Sequence, residues 1–566
     1  MTRPELALLA RTAVHLQPGQ IVRRARLRAQ RTALRRWPQT GRWLMAGPDP
    51  ATAAGWPAGL RPLDAGIWLC WPGCAGLRAG RIELLGMARN LGDPPGWQHA
   101  DAPLLWRFHL HYWDWAWALA AEPDRADARA LFAALWRSWR GAVVAGRGDA
   151  WLPYPTALRA WSYCGLHADL VAGGEIEEPF VADLAAHAGF LRRHLESDVG
   201  GNHLIKNLKA LAGLAVFFAD DHLLARVLHR LTGQLAVQVL ADGGHYERAP
   251  AYHCQVLGDL IDVESLLRAA GRTPEPQLPL AISHMRRWLA SVLSPGGEVP
   301  LLNDGFPVSA DLVAALRPGP PPPGPLVVLP DTGLVRAAAG GWRLLADVGL
   351  PCPDELPAHA HADTFGCLVH VDGTPLLVDT GTSTYAAGPR RGYERSTAAH
   401  NTVEVDGTNS TEVWGAFRAA RRARVRDLVT SSGPGAVTIE AAHDGFRGRP
   451  GRPRHHRRWS LTETGLEVDD LVTGRGRHSI IVRWHLAPGS RLRLTAGGAE
   501  VSTSAGEFQV TVAATGPAAL TAGTAQVATG FGRGLEAAVL TAAIDAALPA
   551  RVSTGWRRAG GREETA

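Results

Sequence analysis

Residues 317–325 read RPGPPPPGP. Proline fixes φ and lacks an amide donor, so this stretch fits neither a helix interior nor a central strand and marks a linker between two differently patterned halves. On its N-terminal side, from residue 91 to 316, segments such as DARALFAALWRSWRGAVV at 127–144, FVADLAAHAGFLRRHLE at 180–196 and HLLARVLHRLTGQLAVQVL at 222–240 repeat apolar residues at three-to-four spacing. They predict a helical array, an α/α toroid or a solenoid, and no clear fixed-period repeat favours the solenoid. On its C-terminal side, residues 326–566 turn to short strands with turn residues, as in FGCLVHVDGTPLLVDTG at 365–381 and RRWSLTETGLEVDDLV at 457–472, and predict an antiparallel β-sandwich. Within the first of these, Asp372-Gly373 signals a tight hairpin. Residues 1–90 are less regular and read as a lead-in to the helical domain.

At 566 residues the chain has room for two or three domains with their own cores, and 46% hydrophobic with 20% charged residues excludes wholesale disorder. The formal charge of +6 is modest, but the basic residues are almost all arginine and concentrate in IVRRARLRAQRTALRRW at 21–37 and GFRGRPGRPRHHRRW at 445–459. Such runs could meet an acidic polymer; the plainer reading is a solvated face. No nucleic-acid-binding module accompanies them, so no nucleic-acid partner is expected. Six cysteines, Cys70, Cys74, Cys164, Cys254, Cys352 and Cys367, show neither paired metal spacing nor a disulfide framework. The N-terminus lacks the order of a signal peptide and no apolar run reaches membrane-spanning length, so the expectation is a cytoplasmic protein, with the periplasm as the alternative.

The chemistry-bearing residues fall in separate places. His359, His361 and Asp363 in PAHAHAD, Asp379 and His400 could return to one rim of the sheet through the hairpin. His361, Asp379 and His400 offer two imidazoles and a carboxylate, a set suited to zinc, while His359, two residues earlier, could point toward a cleft. In the helical half, LWRFHLHYWDWAW at 105–117 carries His111 and Tyr112, and WLPYPTALRAW at 151–161 carries Arg159. GNHLIKNLKAL at 201–211 carries Asn202 and His203, and DGGHYERAPAYH at 242–253 carries Tyr246, Glu247, Arg248 and Tyr252. Aromatic platforms beside cationic and amide donors suit a carboxylated sugar polymer; core packing is the plainer reading of the Trp-rich segment.

Taken in order with HAHADTFG, LLVDTGTSTY and RSTAAHNTVEVDG, these motifs resemble the heparinase II/III-like polysaccharide lyases, and alginate lyases of the same fold, over roughly residues 100–490. The resemblance implies an α/α toroid followed by a β-sandwich with the cleft between them. It implies a mainly structural divalent metal, zinc, on His361, Asp379 and His400. It implies catalytic positions at Asn202, His203, Tyr252 and His359, with His111, Tyr112, Arg159, Tyr246, Glu247, Arg248 and Tyr393 near the substrate. Eliminating a 4-linked uronic acid needs donors that stabilise charge on its carboxylate, for which Asn202 and His203 fit. It also needs a base at C5 and an acid at the leaving oxygen. Tyr252 could do either if neighbouring cations depress its phenol, and His359, Tyr385 or Tyr393 could share the work. Lys206 stands where relatives often carry an acid and Ala249 where Ser is common, which puts substrate preference in doubt. The expected function is β-elimination on an acidic, uronic-acid-containing glycan in cell-surface polysaccharide metabolism; a uronate C5-epimerase and a noncatalytic glycan-binding or assembly protein are the alternatives.

Overall fold

The computed structural model describes residues 3–63, 65 and 73–559; Cys70 lies outside them. The helical half is built from Leu104–Tyr112, Arg125–Ala142, Pro153–Leu166, Glu177–Arg193, Gly201–Phe217, Asp221–Gln238, Pro250–Ala269 and Gln277–Val292. Gly201–Phe217 is central: it packs against Pro153–Leu166, Asp221–Gln238 and Pro250–Ala269, and nearly all its side chains are buried. This is the toroid alternative, one core ringed by helix pairs. Gly213 lets its neighbour close in, since a Cβ there would lie 2.9 Å from the Trp161 ring.

Leu326–Leu329 opens the sheet half, which among the described residues holds three larger antiparallel sheets and a two-stranded ribbon of Val413–Trp414 with Arg418–Ala419. Five strands between Leu326 and Leu377 pair in chain order. The Asp372-Gly373 hairpin forms as expected, with φ of 48° and 83°, the mirror-image turn that matches strand twist. Alternation along these strands sends Leu329, Leu334, Leu345 and Leu368 into the helical core and Val335, Ala337, Leu344 and Val369 into the sheet core. Each large side chain so buried contributes about 1.5–3 kcal/mol, so the two halves share a continuous apolar junction. Beyond it, an eight-stranded sheet faces a four-stranded one, with Trp556 and Trp484 meeting edge-on at 5.9 Å.

The lead-in differs from a plain approach to the helical domain. Three helices, Arg3–Ala13, Pro18–Arg36 and Pro38–Met45, precede a hairpin of Arg81–Leu84 with Met87–Asn90. They touch both halves: Arg11 pairs with Glu412 at 2.9 Å, Trp414 Nε1 donates to Thr12 Oγ1, and Gln20 Nε2 donates to the carbonyls of Asp198 and Glu355. The second arginine run is only partly a solvated face. Arg454–Thr462 is a strand whose His455, Arg457 and Trp459 point inward, and Arg457 pairs with buried Asp470. Among the described residues, no helix is long and apolar enough to cross a membrane.

Candidate active site

The site lies where the Gly201 helix, the start of the Pro250 helix and loops of the sheet half converge. Gly201 has φ of 55°, and a Cβ there would sit 1.8 Å from Glu247 Oε1. Glycine therefore lets the carboxylate reach the helix N-terminus, where it accepts from the Asn202 amide at 2.7 Å. Asn202 Nδ2 also donates to Glu247 Oε2 at 3.0 Å. A carboxylate only accepts, which fixes the amide orientation and leaves Asn202 Oδ1 buried without a partner. Tyr246 braces the same turn, its hydroxyl accepting from the Gly201 amide at 2.9 Å.

His359 is clamped between the halves. Its Nε2 lies 3.0 Å from Glu247 Oε2 and its Nδ1 3.0 Å from Asp304 Oδ2. Burial opposes its positive charge, but Glu247 and Asp304 outweigh that and push its pKa up to about 9. Burial likewise opposes ionisation of Glu247, and His359 leads the interactions that bring it down to about 2. The imidazolium is thus held charged, with both nitrogens engaged. Asp304 is in turn fixed by Arg391, whose Nη2 donates to Oδ2 at 2.9 Å while Nη1 binds Oδ1.

Tyr252 stacks on this clamp, its ring centroid 3.8 Å from that of His359. Its hydroxyl meets that of Tyr385 at 2.7 Å. The expectation of a phenol depressed by cations is corrected: burial, then Tyr385 and Asp304, push Tyr252 well above its ordinary value, and burial and Asp304 do the same to Tyr385. Both phenols keep their protons. His203 is the more open group, its side chain 37% exposed. Its Nδ1 lies 3.2 Å from Glu196 Oε1, and its ring packs 4.3 Å from that of Tyr154. Phe306, Phe417 and Phe531 rim the tyrosine pair.

Two of the other expected substrate contacts lie in the helical core. His111 is buried and its Nδ1 accepts from Trp139 Nε1, while Arg159 is fully buried, donating to the carbonyls of His111 and Ala150 and lying over Trp139 and Trp151. Neither reaches a surface that a glycan could touch. Glu247 is a clamp rather than a substrate contact, and Tyr246 a brace. Arg248 donates to the carbonyls of Leu350 and Asp331 and ties the halves together. Tyr112 is buried with its ring 6.0 Å from that of Tyr154, and Tyr393 lies 3.4 Å from His485 Nε2. Lys206 sits in a buried pair with Asp259 at 2.7 Å rather than in a subsite. Asp304 and Arg391 went unrecognised in the sequence because nothing local marks them; the turn-prone Asn303-Asp304-Gly305 was the one available signal.

The three expected metal ligands are each engaged with a carboxylate or an imidazole. Among the described residues, no group of three or more His, Cys, Asp or Glu side chains is disposed to hold a metal ion. Asp379 Oδ2 is engaged with His400 Nδ1 at 2.7 Å, and His361 Nε2 with Asp304 Oδ1 at 2.9 Å. The trio is an ion pair beside a histidine bound elsewhere. His361 Nδ1, His400 Nε2 and both oxygens of Asp363 remain buried without hydrogen-bond partners, and the two imidazole centroids lie 5.4 Å apart. Those free atoms are the donors a divalent cation takes.

Family models match the chain along both halves: heparinase II/III N-terminus over residues 174–317 and heparinase II/III-like, C-terminal over residues 321–554. The chain belongs to the heparinase II/III family. By that membership it is a polysaccharide lyase. Its fold is similar to a heparinase III structure at TM-score 0.73 and 16% identity, covering 86% of this chain and 81% of that one. A heparan sulfate lyase from Pedobacter heparinus aligns at TM-score 0.59 and 17% identity, over 95% of this heparinase II/III-family chain and 89% of its own. A chondroitin AC lyase from Streptomyces coelicolor A3 in complex with chondroitin sulphate aligns at TM-score 0.51 and 13% identity, over 94% and 83%. No curated protein matches the chain.

Proposed function

We propose that this lyase cleaves a 4-linked, uronic-acid-containing acidic glycan by β-elimination at the junction of its two halves. The observation that carries the reading is the meeting of two protonated phenols, one from each half, over a clamped imidazolium. The fixed charge of His359 stabilises negative charge growing on the uronate carboxylate and, held in place beforehand, needs little reorganisation, while Asn202 Nδ2 holds Glu247 against that imidazolium. His203, oriented by Glu196, takes the C5 proton as that C–H bond breaks. The electron pair forms the C4–C5 double bond, the C4–O bond breaks, and Tyr252 delivers its proton to the departing oxygen. Tyr385 restores the Tyr252 proton from solvent, and His203 returns its own to solvent. Nothing is oxidised and no water is consumed.

A divalent cation, zinc by its donors, is part of the proposal. His361 and His400, with the Asp363 or Asp379 carboxylate, would hold it, and it would brace the sheet side of the cleft. Glycans of the heparan and chondroitin classes are the first substrates to try, together with alginate and bacterial exopolysaccharides. The test is appearance of the unsaturated uronate end; C5 proton exchange without it would make the protein an epimerase.

A further inference from the structure

The first arginine run has a structural counterpart that the catalytic reading leaves unused. Arg23 and Arg26 lie one turn apart on the Pro18–Arg36 helix and face Arg192 and Arg193, at the end of Glu177–Arg193, and Arg230 of Asp221–Gln238. Together with Leu27, Leu195 and Ser197 they line a cavity of about 220 Å³ that contains no acidic side chain. Neighbouring Arg24 has a carboxylate partner, Asp198 at 3.4 Å. Among the described residues, the five lining arginines have none. Their hydrogen bonds go to neutral acceptors: Arg23 to the Ser197 carbonyl, Arg230 to Ser197 Oγ, and Arg192 and Arg193 to the Ala46 carbonyl. Burial, then the charges of Arg23 and Arg26, lower the pKa of Arg230. So many like charges around a hollow form a field that an anion relieves.

The cavity's position gives the anion's source. Ser197, held by Arg23 and Arg230, lies five residues before Asn202, so the two are at most about 18 Å apart along the chain. That is a few sugar units from the site of cleavage. We infer that the five-arginine cavity is a distal subsite for the anionic groups, sulfate or carboxylate, of the same acidic glycan whose uronate reaches Asn202. The inference rests on the lyase reading for its choice of a glycan.

The test measures binding of fluorescently labelled heparan sulfate chains and of labelled polymannuronate to the Tyr252→Phe protein across a salt series. Expected are at least a tenfold loss of affinity and a shallower salt dependence in the exposed double variant R23Q/R26Q, and a smaller loss in R230Q. R272Q, which removes a guanidinium already paired with Asp221, leaves both unchanged. A heparan sulfate preference assigns the subsite to sulfate, and equal losses on both polymers assign it to carboxylate. Wild-type affinity and salt slope in both cavity variants overturn the inference, as does failure of the Tyr252→Phe protein to bind either polymer at low salt. Turnover by the otherwise wild-type enzyme separates the two claims. Loss of binding with no unsaturated product on any glycan leaves the cavity standing and removes the lyase reading. Product formed with unchanged KM on long chains in R23Q/R26Q does the reverse.

Discussion

The Tyr252 hydroxyl, carried by the first turn of a helix in the N-terminal half, lies 2.7 Å from the Tyr385 hydroxyl of the sheet half. Because burial holds the Tyr252 proton, the proposed elimination uses the residue as its acid. Tyr252→Phe removes only the oxygen, so turnover should fall by roughly 10²–10⁴-fold while thermal unfolding stays close to wild type. Tyr385→Phe should show a smaller loss. Near-normal turnover in Tyr252→Phe removes it from the reaction.

Glu247 connects the two halves through His359. Glu247→Gln leaves a buried imidazolium with Asp304 as its remaining carboxylate and should lower stability by about 3 kcal/mol, at the low end of the effect of removing one partner of a buried pair. Urea denaturation measures it. A loss under about 1 kcal/mol, within the range of a surface pair, contradicts the clamp.

Gly201→Ala should be more damaging than a typical glycine-to-alanine change in a helix, because its Cβ would lie 1.8 Å from Glu247 Oε1 at a φ of 55°. Activity and stability should fall together, and wild-type values for both would contradict the close approach.

Asp470 supplies a pH test away from the cleft. Burial opposes its ionisation, but Arg457 and His455 outweigh that and bring it down to about 2. A carboxylate depressed from its unfolded value near ~3.9 contributes stability that is present above that pH and lost as pH falls toward about 2, in total about 2–3 kcal/mol. Asp470→Asn should flatten the stability profile over that interval. An unchanged acid limb contradicts the assignment.

Metal analysis tests the sheet-side pocket. Purified protein should contain zinc, and His361→Ala or His400→Ala should lose it. Equal zinc in both variants and wild type, or none in wild type, contradicts the cation.

How far the sequence went follows from the range of each signal. The Asp372-Gly373 hairpin and the change of periodicity at RPGPPPPGP are local, and both are legible. The contact of Asn202, Tyr252 and His359 joins distant segments and was accessible only through resemblance. Asp304 has only the turn-prone Asn303-Asp304-Gly305 as a local mark, and Arg391, which fixes it, lies 87 positions away in the chain. His111 and Arg159 misled because a cation among tryptophans reads alike in a core and in a cleft. Only the structure shows Arg159 donating to two carbonyls and to His187, with Nη2 buried without a partner. Composition likewise hid Arg457, which strand alternation turns inward beside exposed Arg458.

The most direct test of the central claim follows ultraviolet absorbance of the conjugated uronate while the enzyme is incubated with heparan sulfate, chondroitin sulfate, alginate, hyaluronan and bacterial exopolysaccharides. A rise is expected on at least one uronate-containing glycan and is lost in Tyr252→Phe; a rise that persists in Tyr252→Phe, or C5 proton exchange with no rise on any of them, would overturn the lyase mechanism.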